Sequence, residues 1–213
     1  MNGHSPARAS AGEGRAAVQR QRILRAAQQC FVKSGFHAAS MAAIAQAASM
    51  SPGLIYRYFR GKNEIILAII GQQLEVARER IGELHTSTDL AAALAGAYDA
   101  HGRGDGERIS PPLFLELSAE ATRDPQIAAA AQASDAGVRA ALRQVLERSR
   151  EQGGYGVPKA VAAERALMLM CLFEGLKVRE AREPALDRKL LKSALTHIFS
   201  AILEPQDRRA PAP

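Results

Sequence analysis

The chain has 213 residues, 47% of them hydrophobic, and a formal net charge of +6. That is enough apolar content for one or two folded domains, and it excludes a wholly disordered chain. No apolar run reaches membrane-spanning length and the N-terminus lacks an apolar signal core, so a cytoplasmic protein without a membrane partner is expected. Cys30 and Cys171 lie far apart, which argues against a disulfide scaffold or a zinc site. Both cysteines are expected to be small buried hydrophobes, and no metal or cofactor is expected.

The charge is unevenly spread. Residues 1–62 carry nine Lys/Arg and one acid, a net of +8, whereas residues 63–213 carry 19 bases and 21 acids. A basic N-terminal module on a near-neutral body points to a polyanion bound at one end. An anionic membrane surface would fit the charge, but the module lacks a strongly apolar insertion face.

Residues 1–15, rich in Ala, Gly, Ser and Arg without apolar periodicity, read as a basic disordered tail. Residues 16–34 form a helix with Ile23, Leu24, Ala27 and Phe31 as one buried stripe and Arg20, Arg22 and Arg25 off it. Gly35 sits where a left-handed residue ends a helix. Ser40 caps a second helix, Met41–Ala48, and Ser49-Met50 makes a tight turn. Ser51 then offers an N-cap and Pro52 suits the first helical position. Wound at 3.6 residues per turn, Pro52, Gly53, Tyr56, Arg57 and Arg60 share one side, and Leu54, Ile55, Tyr58 and Phe59 the other. One face can pack, and the other offers a Gly gap, a phenol and a guanidinium, which suits a helix lying on DNA. An ordinary amphipathic helix is the alternative. Two short helices around a turn, floored by the first helix, make a helix-turn-helix unit over 16–62. Lys62-Asn63-Glu64 opens a long helix to about Leu84.

Residues 20–70 resemble the DNA-binding domain of the TetR/AcrR transcriptional repressors. The matching pieces are Ile23-Leu24-Arg25-Ala26-Ala27 to Phe31, Ser34-Gly35-Phe36, Ser40-Met41-Ala42-Ala43-Ile44-Ala45, Ser51 through Phe59, and Gly61-Lys62-Asn63-Glu64. Ser49 stands where the family usually has Gly, and Leu54 where a small polar residue is common. The resemblance implies that Ser40 hydrogen-bonds a phosphate and that Ser51, Pro52 and Gly53 sit at the groove edge. Tyr56 and Arg57 become the best base-edge or phosphate contacts. Tyr58 is half core with its hydroxyl on phosphate, and Lys62 neutralises a phosphate. For each, the alternative is a cap, a packing contact or a solvated charge.

The body, residues 63–204, is all-helical by pattern. Expected helices cover 88–101, Leu113–Thr122, a long helix from Asp124-Pro125 to about Glu151, 159–182, and Ala185–Leu203. The glycine-rich stretches 102–106 and 153–156 are turns, and residues 205–213 are a tail. Ala166 through Phe173 are apolar on every side of their helix, so that helix must touch more than its own core. Leu191, Leu195, Ile198 and Ile202 form a narrow seam on the last helix. Together with Leu167 these residues are expected to pair two copies in a four-helix bundle, and a monomeric core is the alternative. A small-molecule effector is expected among the central helices, lined by Tyr98, His101, Phe114, Glu116, Glu120, Met168, Cys171, Phe173 and Glu174. Any buried unpaired carboxylate there would favour a cationic ligand.

The five His lie on scattered elements, and no Walker A loop, G-x-S-x-G or H-E-x-x-H occurs, so no catalytic residue is expected. The expected protein is an all-α, homodimeric, ligand-responsive repressor. It has a three-helix helix-turn-helix domain, a ligand-binding and dimerisation domain, and a palindromic duplex operator as partner. An all-helical enzyme or a protein-binding adaptor with a basic module is the competing reading.

Overall fold

The computed structural model describes residues 6–84, 89, 91, 92, 95, 98 and 109–203. These residues form α1 (Pro6–Ala38), α2 (Met41–Ala47), α3 (Pro52–Ile55), α4 (Lys62–Gly82), α5 (Pro111–Ala121), α6 (Pro125–Glu147), α7 (Lys159–Arg182) and α8 (Arg188–Leu203), with a 3-10 turn at Arg150–Gln152. No strand occurs among the described residues. Most of the helix expected over 88–101, the loop 102–106 and the tail 205–213 lie outside them.

The chain divides into two compact units. One comprises Met1–Gly71 with Leu115–Ala130, and the other Gln72–Phe114 with Ala131–Pro213. The division falls inside α4, beyond the Lys62 boundary read from the sequence, and α4 and α5 each contribute residues to both units.

In the N-terminal unit, α1 packs on α2 and α2 on α3. Ile23, Ala27, Phe31, Ile44, Ala45, Ile55, Phe59, Ile65, Ile66 and Ile69 are buried, and Ile127 of α6 joins them in the unit's core. Each fully buried Ile or Phe contributes roughly 1.5–3 kcal/mol. Helix α1 starts at Pro6 rather than near residue 16. Ala, Arg and Glu of residues 6–15 are strong helix formers, so propensity extends the helix where no apolar stripe exists to signal it. Gly35 interrupts α1 with φ 75° and ψ 161°. Its φ is positive as expected for a helix end, but its ψ lies in an extended region open essentially to glycine alone. The chain therefore turns sharply there and presents the Phe36–Ala38 backbone sideways. Ser49 takes φ 50° in the turn before α3, a conformation that costs a residue with a Cβ more than it costs glycine.

In the body, Leu142, Val145 and Leu146 of α6, Ala162, Ala166, Leu169 and Met170 of α7, and Leu191, Leu195, Phe199 and Ile202 of α8 share one core. Helices α4 and α6 approach closely at Gly137, where an added Cβ would come within 2.9 Å of Leu74 Cδ1.

Candidate nucleic-acid interface and effector site

Helix α3 is short and well capped. The Ser51 hydroxyl accepts from Leu54 N at 3.3 Å, and Pro52 occupies the first turn, where no N–H is needed. After Ile55 the helix tightens. Arg57 N donates to Leu54 O and Tyr58 N to Ile55 O, both i to i−3 bonds. The two faces fall as the helical wheel requires. Ile55 and Phe59 are buried, Leu54 and Tyr58 half-buried, and Ser51, Pro52, Gly53, Tyr56, Arg57 and Arg60 exposed. Tyr56 is a large aromatic left 55% exposed, and nothing lies within 4 Å of where a Cβ on Gly53 would sit. A phenol, a guanidinium and a gap with only a backbone behind it therefore share one solvent face.

Ser40 caps α2, its hydroxyl accepting from Ala43 N at 3.1 Å. In both serines the O–H remains free to donate to an anion such as a phosphate oxygen. Lys62 is placed differently from the expectation. Its Nζ donates to Phe36 O at 2.8 Å and to His37 O at 3.1 Å, and lies 4.7 Å from the centroid of the Phe36 ring. The ammonium ties the start of α4 to the carbonyls exposed by the Gly35 break, which leaves it less to offer a phosphate.

Glu116 and Glu120 do not line an effector site. They belong to the N-terminal unit. Glu116 Oε2 accepts from Phe36 N at 3.1 Å. Glu120, only 5% exposed, lies 3.2 Å from His37 Nε2 and 3.9 Å from Arg123 Nη1. The break at Gly35 leaves the Phe36 N–H to an acceptor outside its helix, which Glu116 supplies, while Glu120, one turn further along α5, meets the His37 side chain. Sequence periodicity could not assign them, because Phe36 and His37 lie 80 or more residues away.

In the body, Tyr98 is buried and its hydroxyl donates to Glu183 O at 2.8 Å, with burial pushing the phenol up from its ordinary value. Phe114 and Glu174 are half-buried. Lys177 Nζ sits 4.5 Å from the centroid of the Phe114 ring. Burial pushes the Glu174 and Asp135 carboxyls up, with Asp135 also raising Glu174, while burial pulls the Lys177 ammonium down. Asp135 and Lys177 are the members of this group that periodicity missed, although Lys177 stands one turn after Glu174 on α7. Met168 and Cys171 are exposed, and Cys171 is not the buried hydrophobe expected. Phe173 packs against the body core, and His101 lies outside the described residues.

The expected dimer seam separates into two sets. Leu191, Leu195 and Ile202 point into the body's own core, because α8 needs its strongest stripe to hold α7. Leu167 and Met168 of α7 and Leu190 and Ile198 of α8 are the large apolar side chains left outside, Leu167 at 47% and Leu190 at 62% exposed. Ala160, Ala163, Ala194 and Ala201 are exposed beside them in the helical order of the same two faces.

The profile described as bacterial regulatory proteins, tetR family, matches residues 23–69. A second profile, BetI-type transcriptional repressor, C-terminal, matches residues 104–204. The chain belongs to the TetR family. It is 37% identical over 115 residues to the HTH-type transcriptional regulator UidR of Escherichia coli strain K12, a match covering 52% of this chain and 55% of UidR. This family member thus aligns with about half the length of that relative. It is 26% identical over 192 residues to the HTH-type transcriptional regulator BetI of an Escherichia coli strain, covering 88% of this chain and 95% of BetI. Among solved structures, Salmonella enterica GusR is similar with a TM-score of 0.70 at 29% identity, covering 87% of this chain and 95% of GusR. No helix among the described residues is long and apolar enough to cross a membrane.

Proposed function

We propose that this TetR-family chain is a ligand-responsive transcriptional repressor that binds a palindromic operator as a homodimer. The observation that carries the reading is the solvent face of α3. Gly53, Tyr56 and Arg57 lie exposed behind the Ser51 cap while Ile55 and Phe59 are buried beneath them. In this reading, Tyr56 and Arg57 reach base edges or phosphates, Gly53 lets the backbone approach the groove, and Ser40, Ser51 and the Tyr58 hydroxyl meet phosphates. The net +8 of residues 1–62 supplies the long-range attraction.

The exposed apolar side chains Leu167, Met168, Leu190 and Ile198 on two helices that pack together support pairing with a second copy, which would take them out of water. A second copy supplies a second α3, and a two-fold pair of recognition helices reads a roughly palindromic site. The effector would enter the body near Phe114, Asp135, Glu174 and Lys177, where charged groups are held partly out of water. An effector that binds the DNA-incompetent state better must weaken operator binding by the same factor.

Fluorescence anisotropy against duplexes from the region upstream of the chain's own coding sequence tests the reading. The expected result is one preferred duplex over random sequence, with log affinity falling linearly with log salt. Equal affinity for every duplex would overturn it.

A further inference from the structure

Arg20 lies off the apolar stripe of α1, where a solvated charge or a phosphate contact is the ordinary reading. Its guanidinium is engaged elsewhere. Nη1 donates to Tyr58 O at 3.2 Å, and Cζ lies 4.3 Å from the centroid of the Phe59 ring. Both partners belong to the end of the recognition element. Helix α3 has only four residues and the turn that continues it ends at Phe59, so the Tyr58 carbonyl lies at the end of the element with no continuing helix behind it. Phe59, buried at the end of that turn, anchors it to the core of the unit. One side chain therefore holds the terminal carbonyl and covers the anchoring ring, immediately after the Tyr56–Arg57 pair.

We propose that Arg20 is a positioning residue for the recognition helix, fixing the orientation of the Tyr56–Arg57 edge without itself reading the duplex. A planar fork is what the geometry needs. Guanidinium can stack flat on Phe59 and donate in its own plane to Tyr58 O at the same time, whereas the compact ammonium of a lysine cannot do both. The inference rests on the reading that α3 is the face presented to DNA.

The test compares wild type, Arg20→Lys and Arg20→Gln on the preferred duplex and on a random duplex across a salt series. A positioning role predicts that Arg20→Lys, which keeps the charge, lowers affinity for the preferred duplex by about ten-fold, the scale of one weakened base contact. Its affinity for random duplex and its salt slope stay at the wild-type values. Amide hydrogen exchange of free Arg20→Lys then shows faster exchange confined to residues 54–59, with the amides of α1 and α2 unchanged. A phosphate contact predicts the opposite. Arg20→Lys behaves as wild type, while Arg20→Gln weakens both duplexes alike and reduces the salt slope by about one unit. That result overturns the inference, as does unchanged exchange at residues 54–59. A wild-type chain with no duplex preference removes the parent reading and this one with it. A wild type that discriminates, alongside an Arg20→Lys that discriminates equally well, removes this one alone.

Discussion

The two units differ in how their polar and apolar groups are disposed. In the N-terminal unit the polar side chains are committed: Arg20 to Tyr58, Lys62 and Glu116 to Phe36, Glu120 to His37, Ser40 and Ser51 to helix caps. The body gathers its exposed large apolar side chains on two helices, α7 and α8, whereas those of the N-terminal unit, Val18, Val32, Tyr56 and Leu115, are spread over α1, α5 and the end of the recognition element. It also buries Arg165 Nη1 and Gln72 Oε1 without a hydrogen-bond partner. The first arrangement fixes a shape, as a reader of DNA requires, since a recognition face must hold its geometry before contact. The second leaves apolar surface and buried polar groups open, as the proposed body with a partner and an effector would.

The largest effect expected is on α8. Leu195 is 1% exposed, so Leu195→Glu buries a carboxylate and should unfold the body, a loss of about 4 kcal/mol or more. Ile198→Glu, one turn on and outward, should leave the circular-dichroism melt near wild type and abolish dimerisation in sedimentation. If the two variants behave alike, the division of α8 into an inner and an outer face is wrong.

Glu116→Ala comes next. It leaves the Phe36 N–H without its acceptor and should cost about 1–3 kcal/mol in denaturant unfolding of the N-terminal unit. A change confined to the body would contradict the assignment of Glu116.

Arg165→Met sharpens the comparison from the other side. Arg165 is 8% exposed with one nitrogen unpaired, and replacing a poorly paired buried cation with a hydrophobe of similar size should be neutral or raise stability by about 1–3 kcal/mol. A melting temperature well below wild type would mean that the guanidinium is satisfied in the folded dimer.

Much of the N-terminal unit was legible in the sequence, because its helices are short, strongly periodic and punctuated by Ser40, Ser51, Pro52 and Gly35. The inward and outward faces of α3 followed from winding alone. The roles of Lys62, Glu116 and Glu120 were not legible. Lys62 and Glu116 bond to the backbone beside Gly35 and Glu120 meets the His37 side chain, all across 25 or more positions, and spacing carries no information about such partners. On α8 the periodicity gave the strongest stripe, Leu191, Leu195 and Ile202, but a stripe does not state whether its partner is the same chain or a second one. Here the strongest stripe went to the core, and the weaker one remains exposed. In the body, Asp135 and Lys177 were missed because a charge on an amphipathic helix ordinarily reads as solvated.

The smallest stability effect is expected at Gly53. Nothing surrounds its missing Cβ, so Gly53→Ala should stabilise the free protein by about 0.5–1 kcal/mol through helix propensity. The same methyl would stand between α3 and the duplex, so operator affinity should fall while stability rises. Affinity rising together with stability would move the contact surface away from this face.

In the proposed complex two copies, clasped through α7 and α8, present two α3 helices to one duplex. Sedimentation equilibrium of the protein with its preferred duplex and with a duplex carrying only half of that site measures it directly. Two chains are expected on the full site, bound far more tightly than on the half site. A single chain per duplex, with equal affinity for both, would contradict it.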